Sequence, residues 1–170
     1  ARELYYHGRY EDAIQALEGF LKEPEAWIEN KIDACLHLAY CHEKLGRQED
    51  AMKALTESFA YDKPRGETCC ELGKLKMDTG KLSEAVYWYE QALSLDPDEQ
   101  SGAFVQKDCY GYLPSIQLCV CHDRLGDHKR AYYYHQKSQK FKPDSEAVKL
   151  NQAYFERILK QKAEAVPPKQ

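Results

Sequence analysis

One six-residue pattern recurs four times without a gap: "GRYEDA" (Gly8 to Ala13), "GRQEDA" (Gly46 to Ala51), "GKLSEA" (Gly80 to Ala85) and "GDHKRA" (Gly126 to Ala131). Each is a glycine, four residues, then alanine. A proline follows each alanine after 11, 13, 12 and 12 residues, at Pro24, Pro64, Pro97 and Pro143. A period of this size marks a repeat array, in which each unit buries its apolar face only against its neighbours. The glycine closes one helix, since it enters the left-handed region without a Cβ penalty. The alanine lies on the next helix, where two backbones approach closely. The proline lacks an N–H and disfavours helical geometry in the residue before it, so it bounds the second helix. Each unit is therefore predicted to be a helical hairpin.

The segments before the glycines agree. "CLHLAYCHEKLG" (Cys35 to Gly46), "CELGKLKMDTG" (Cys70 to Gly80) and "IQLCVCHDRLG" (Ile116 to Gly126) contain no proline. Their apolar positions recur at three and four residues, the helical period. Together these positions resemble the tetratricopeptide repeat, whose 34-residue pattern reads W-x2-L-G-x2-Y…A-x3-F…P. The third unit matches with Cys69, Leu72, Gly73, Ala85, Tyr89 and Pro97. The second offers Cys35, Leu38, Ala39, His42, Ala51 and Leu55, and the fourth Leu118, Cys119, His122, Ala131, His135 and Pro143. The first is truncated and begins at Ala1, continuing with Leu4, Ala13 and Leu17.

The resemblance implies an all-α, right-handed superhelical solenoid of antiparallel hairpins over residues 1–162. Its units are expected at about 1–24, 25–64, 66–98 and 112–143. After Pro143, "DSEAVKLNQAYFERILKQK" reads as an amphipathic capping helix over 145–162, with Asp144 or Ser145 as N-cap. The remainder, 163–170, is expected to be a disordered tail.

The period breaks twice. The glycine spacings are 38, 34 and 46. The first carries extra residues around "EAWIENK", which predicts a helix starting near Glu25 with Trp27 packed inward. The last places an irregular insert at about 99–111, within "PDEQSGAFVQKDCYGYLP". Long loops inside a compact array are uncommon and often functional. Phe104, Val105, Tyr110 and Tyr112 predict that this one folds back on the scaffold, either as a packed connection or as a binding loop. As a binding loop, its candidate residues are Phe104, Asp108 and Tyr110.

"LCVCHDRLG" (Leu118 to Gly126) raises the question of a metal site. The repeat phase answers it. Cys41 and Cys121 occupy one repeat position and His42 and His122 another, in units two repeats apart. Cys119 and Cys121, two residues apart on a helix, point about 200° apart. Ligands that must sit roughly 2.0–2.3 Å from one ion do not converge this way, so packing is the expected role of these thiols. In "DPD" (Asp96 to Asp98) the proline is the repeat's terminator, so the pair of aspartates is not read as a metal–nucleotide motif. The aromatic runs "YWY" (Tyr87 to Tyr89) and "YYYH" (Tyr132 to His135) are expected to be inter-repeat core. No nucleophile–base pair, phosphate loop or paired-carboxylate constellation stands out.

Composition narrows the class. With 43% hydrophobic and 31% charged residues, the 170-residue chain has the balance of a soluble globular protein. A net charge of −4 gives no basic footprint for nucleic acid. No apolar run approaches the roughly 20 residues of a membrane span. Seven cysteines, an odd number with no framework of pairs, suit a reducing, cytoplasmic compartment. The chain opens without methionine, in mid-helix, and so reads as a fragment of a longer protein.

In proteins resembling this one, the first helix of each unit lines a concave ligand face. Carried over by position, the candidate binding residues are Tyr5 and Tyr6; Leu36, Tyr40 and Glu43; Cys70, Lys74 and Met77; and Ile116, Val120 and Arg124. Tyr154 and Arg157 extend the face on the capping helix. This mixture suits a protein or peptide segment better than nucleic acid. The lysine/asparagine clamp by which some such proteins hold terminal carboxylates maps onto Leu36, Tyr40, Cys70 and Lys74, and only Lys74 fits.

A further resemblance covers whole segments. "ARELYYHGRYEDAI", "WIENKIDACLHLAYCHEKLG", "DKPRGETCCELGKL" and "FVQKDCYGYLPSIQLCVCHDRLGDHKRAYYYH" are similar to the C-terminal repeat region of bacterial family 2 glycosyltransferases. That resemblance implies an upstream catalytic domain holding a nucleotide-sugar and a divalent metal, and no cofactor in the present residues. This chain would then be non-catalytic, positioning an acceptor, docking a partner or forming a homodimer. A stand-alone adaptor or peptide-sensing protein is the alternative.

Overall fold

All four repeat glycines take the left-handed conformation, with φ of 71° at Gly8, 72° at Gly46, 73° at Gly80 and 81° at Gly126. Each is closed by the same pair of bonds. At the second, the Gly46 N–H donates to the Glu43 carbonyl at 2.9 Å, and the Arg47 N–H donates to the His42 carbonyl at 2.9 Å. Equivalent bonds occur at Gly8, Gly80 and Gly126. They satisfy carbonyls that the ending helix leaves open, and they turn the chain into the next helix at once.

The computed structural model describes residues 1–98, 102 and 104–164 (side chains excepted at 159 and 162–164). Among them are nine α-helices and no strand. They pair as α1 (Arg2–Tyr6) with α2 (Tyr10–Leu21), α3 (Ile28–Lys44) with α4 (Gln48–Glu57), α5 (Gly66–Asp78) with α6 (Leu82–Ser94), and α7 (Tyr112–Arg124) with α8 (His128–Phe141). A final helix, α9 (Glu146–Glu164), follows. The second helix of each hairpin packs on the first helix of the next, and α8 packs on α9.

Small residues set the hairpin crossings. Ala13, Ala51, Ala85 and Ala131 are completely buried. Four residues on, Leu17, Leu55, Tyr89 and His135 are buried as well. On the first helices, Ala39, Gly73 and Cys119 occupy one repeat position and are buried, Gly73 against Tyr89 and Cys119 in one cluster with Ala131. At Gly73 a Cβ would lie 2.8 Å from the Tyr89 ring. A large residue on one helix is thus matched by the smallest on its partner, which is how close-packed interiors avoid both voids and clashes. Above this layer the interior divides. One cluster joins α2, α3 and α4 to Leu72 and Leu75. A second gathers Cys69, Cys70, Tyr89, Cys109, Leu118 and Cys121. A third seats Phe155 of α9 against Cys119 and Ala131.

Several details depart from the sequence reading. The helix expected near Glu25 begins at Ile28, and Trp27, its N-cap, is 51% exposed instead of packed inward. The residues "PEA" form a turn, and Pro24, which disfavours helical geometry in Glu23 before it, keeps α2 from running on into it. In α4 the helix stops at Glu57, well short of Pro64, and gives way to a 3-10 turn over Ser58–Ala60. There the Ser58 hydroxyl donates to the Leu55 carbonyl at 2.6 Å, a local side-chain bond that competes with helix continuation. The aromatic runs are only partly core. Tyr89 and His135 are buried, whereas Tyr87, Tyr132 and Tyr133 reach solvent. The reason is the helical period: Trp88 and Tyr134, next to the buried residue of each run, pack partly against the core clusters, while the remaining residues point outward.

The capping helix begins at Ser145, whose hydroxyl accepts from the Val148 N–H at 3.3 Å. Val148 and Phe155 bury against the last hairpin. Residues 163 and 164, placed in the tail by sequence, continue α9; the rest of that expected disordered tail, 165–170, lies outside the described residues.

Ala85→Leu and Ala131→Leu should each over-pack a crossing and lower unfolding free energy by roughly 1–3 kcal/mol. Urea unfolding measures this, and neutral behaviour of both would mean that the crossings lie elsewhere.

Candidate functional site

The insert decides where the open surface lies. Its C-terminal part forms a 3-10 turn over Lys107–Tyr110 that packs on α5, α6 and α7. Cys109 is buried in the second core cluster, and the Cys70 thiol donates to its carbonyl at 3.5 Å. Glu67, the second residue of α5, anchors the turn. It accepts the Gln106 N–H at 2.6 Å and the Tyr110 hydroxyl at 2.7 Å. Tyr110 in turn lies over Gly66, where a Cβ would come within 2.8 Å of its ring. Burial, then the adjacent Glu67, push the Tyr110 hydroxyl well above its ordinary pKa, so it stays a donor.

This turn roofs one side of an open cleft of about 170 Å³ between α3 and α5. Ile32, Leu36 and Thr68 form part of the floor. Trp27 and Phe104 both line it and are 51% and 81% exposed, with the Trp27 ring beside Gly102 of the insert. Charged groups on the wall are already partnered. Arg65 bonds Glu29 at 2.7 Å and Asp62 at 2.7 Å, and the Arg65–Glu29 pair is largely buried. Arg2 bonds Asp33 at 2.9 Å.

Further along the same two helices, Glu43 and Glu71 share the ammonium of Lys74. Tyr40 lies among them, half-buried, with an edge-on contact to His37 at 5.8 Å. Burial first, and then the nearby Glu71, Cys109, Glu43 and Glu67, raise its hydroxyl pKa. Burial also raises the carboxyl of Glu71, aided by Glu43 and opposed by Lys74. Tyr5 of α1 reaches this group, its hydroxyl raised chiefly by burial and then by Tyr10.

The residues expected on the ligand face thus fall into two places. Leu36, Tyr40, Glu43, Lys74 and Tyr5 belong to the α3–α5 strip, with Tyr110 at its roof. Tyr6 projects into solvent at the end of α1, 81% exposed. Val120, Arg124 and Tyr154 line a second cleft between α7 and α9, with Asp123 and Leu150. There the Tyr154 hydroxyl lies 2.9 Å from both Asp123 oxygens, and Arg157 sits over the Tyr154 ring at 5.8 Å. Ile116 is buried core, and Met77 is half-buried against the second cluster. Cys70 is buried under the insert. Asp108 faces away from the cleft, paired with Lys142. The insert folds back through Cys109 and Tyr110, which make the inward contacts, whereas Phe104, expected to do the same, projects outward.

The residues that sequence reasoning missed are Glu29, Arg65 and Glu67. For Arg65 and Glu67 the signal lay in "DKPRGETCC": two charged side chains flank Gly66 at the start of a helix otherwise rich in buried residues. Trp27 was noticed and assigned the wrong direction.

The thiols of "LCVCHDRLG" take up packing positions. Cys121 joins the second core cluster and Cys119 the third. Burial pushes their pKa values up to about 11 and about 12, which keeps them protonated. His122 stacks flat on Tyr134, centroids 5.4 Å apart, and burial lowers its pKa. Among the described residues, no group of three or more His, Cys, Asp or Glu is arranged to hold a metal ion.

With this geometry established, comparison with known proteins supplies the family. One tetratricopeptide repeat model matches residues 1–63 and another matches residues 66–99, together more than half of the chain. The chain belongs to the tetratricopeptide repeat family. Solved structures show the same tetratricopeptide fold. MamA is 21% identical with a TM-score of 0.63, over 83% of this chain and 73% of that one. PilW, described as a "widely conserved type IV pilus biogenesis factor", is 22% identical with a TM-score of 0.67, over 86% of this chain and 61% of that one. The pilF protein of Pseudomonas aeruginosa is 16% identical with a TM-score of 0.61, over 89% and 62%. This tetratricopeptide chain therefore spans about three fifths of PilW and pilF. No curated protein matches it. No helix among the described residues is long and apolar enough to cross a membrane.

Two outcomes test the site. Tyr110→Phe should leave the buried Glu67 short of a donor and cost about 1–3 kcal/mol, with hydrogen exchange accelerating first at Gln106 to Tyr110. Glu71 holds its proton more tightly folded than unfolded, so it favours the fold at low pH and loses that contribution as pH rises through its raised pKa. Urea midpoints of Glu71→Gln should therefore fall less than those of the parent chain between about pH 4 and pH 7.

Proposed function

We propose that the chain is a non-catalytic scaffold that holds an extended segment of a protein partner along the first-helix strip of α3 and α5. One observation carries this reading. At one end the strip opens into an aromatic-edged cleft built from two consecutive repeats, and Val105 and Tyr110 of the insert line that cleft without filling it. Clefts that recognise peptides combine such apolar pockets with a polar rim. The net charge of −4 and the carboxylates along the strip argue against nucleic acid as the occupant.

The larger protein we infer is a bacterial family 2 glycosyltransferase acting in the cytoplasm. Its nucleotide-sugar and divalent-metal sites would lie upstream of Ala1, leaving no cofactor to this chain. The partner segment is then the acceptor, a docking protein or a second copy. Whole-segment similarity supports this parentage. The upstream residues decide it: strand–helix alternation with a D-x-D agrees, and a further plain repeat points to an adaptor.

Cross-linking with mass spectrometry on the intact parent tests the scaffold role. Segments captured at the strip should be lost by several-fold in Tyr40→Ala. Arg124→Ala, in the second cleft, reports whether the occupant extends to α7 and α9. Unchanged capture by Tyr40→Ala, with the melting temperature preserved, overturns the strip as the binding face.

A further inference from the structure

The cleft beneath Trp27 and Phe104 has a size and a charge state that specify its occupant, given the scaffold reading above. Its volume is about 170 Å³. Pockets for drug-sized ligands and cofactors run to about 300–1,000 Å³, so neither fits. A cavity of about 150 Å³ accepts one benzene ring. The space here is therefore that of a single side chain.

Charge narrows the choice. Five ionisable side chains face the cleft: Arg2, Glu29, Asp33, Arg65 and Glu67. Each is already engaged, although the buried Arg65 Nε–H itself has no partner. Arg2 pairs with Asp33, Arg65 pairs with Glu29, and Glu67 accepts two bonds from the insert. A cationic anchor would be desolvated among carboxylates that are already paired, and an anionic one would meet in Arg65 a cation already outweighed by Glu29 and Asp62, so either is costly. An apolar anchor meets Ile32, Leu36 and the two exposed rings. Covering Trp27 and Phe104 removes large apolar surfaces from water. Asn30, exposed on the same wall, offers a donor and an acceptor to the backbone that carries the anchor.

We propose that this cleft is the anchor pocket for one neutral aromatic or branched aliphatic side chain, projecting from an extended partner segment that crosses from α3 to the insert. The anchor contacts the exposed rings of Trp27 and Phe104 and is seated on Ile32 and Leu36. The flanking ion pairs form a polar rim that excludes charged side chains at this position. Such a pocket inverts the carboxylate-clamp arrangement, with shape and apolar contact taking the place of cationic side chains.

Small probes of each side-chain class test this on the 170-residue chain: indole, n-butylammonium and acetate, each titrated while nitrogen-15 amide spectra are recorded. Indole should give saturable shifts at the Trp27 indole N–H and at Thr68 and Val105. Trp27→Ala and Phe104→Ala should each weaken it at least about fivefold, with melting temperatures unchanged because both side chains are exposed. Stronger saturable binding by n-butylammonium or acetate overturns the neutral anchor, as does the absence of saturable shifts with indole. A peptide selected by display on the chain separates the two readings. Binding that falls in Tyr40→Ala but not in Trp27→Ala or Phe104→Ala overturns the anchor pocket and leaves the scaffold intact. Binding that falls in all three supports both.

Discussion

Everything else in the molecule depends on how closely two helices approach within a hairpin. That distance is fixed by a small residue opposite a large one: Gly73 beneath Tyr89, with Ala39 and Cys119 at the equivalent places. The close approach keeps each second helix buried on its inner side and sets the rotation of each first helix about its axis. Once that rotation is set, residues three and four apart on the first helix emerge on one face. Leu36, Tyr40 and Glu43 are such a series. The ligand strip is thus a by-product of the packing rule, and no separate device is needed to build it.

What individualises the strip is the insert. A plain array would present the same strip as an unroofed furrow. Here the Glu67–Tyr110 bond and the close contact of Tyr110 with Gly66 bring an extra segment against the start of α5. The remaining space is side-chain-sized. The wall carries two arginines and three carboxylates, each already in an ion pair or hydrogen bond, so selectivity rests mainly on shape and apolar contact.

The repeat framework was legible because its signals are local. A glycine that must be left-handed, an alanine that must be small and a proline nearby can each be read without knowing the tertiary structure. The helix hairpins, their closing bonds and the buried alanines follow from these. The cysteines too yield to periodicity, since the phase separates them before any distance is known. The candidate site was legible only in part. Tyr40, Glu43 and Lys74 followed from the phase. Glu29, Arg65 and Glu67 did not, because their roles come from contacts 36 to 43 residues away in the chain. Trp27 was misjudged for the same reason. A large aromatic beside a helix start is usually core, and only the placement of Gly102 and Phe104 shows that it faces an opening.

The insert also changes the mechanics of the array. In a simple solenoid each unit touches only its neighbours, so stability is close to a sum of local terms, and the ends can fray independently. Here one segment reaches three units. Gly102 lies beside Trp27 of the second, Tyr110 bonds Glu67 of the third, and Asp108 pairs with Lys142 at the end of the fourth. Lys142 also sits over the Tyr112 ring at 4.9 Å, and the Tyr112 hydroxyl donates to Ser145 at the start of α9. A load applied at the capping helix therefore reaches the α3–α5 strip along a cross-strut as well as through the stacked hairpins. The chain behaves less like a spring of separable coils and more like a braced beam, in which the interior units yield together.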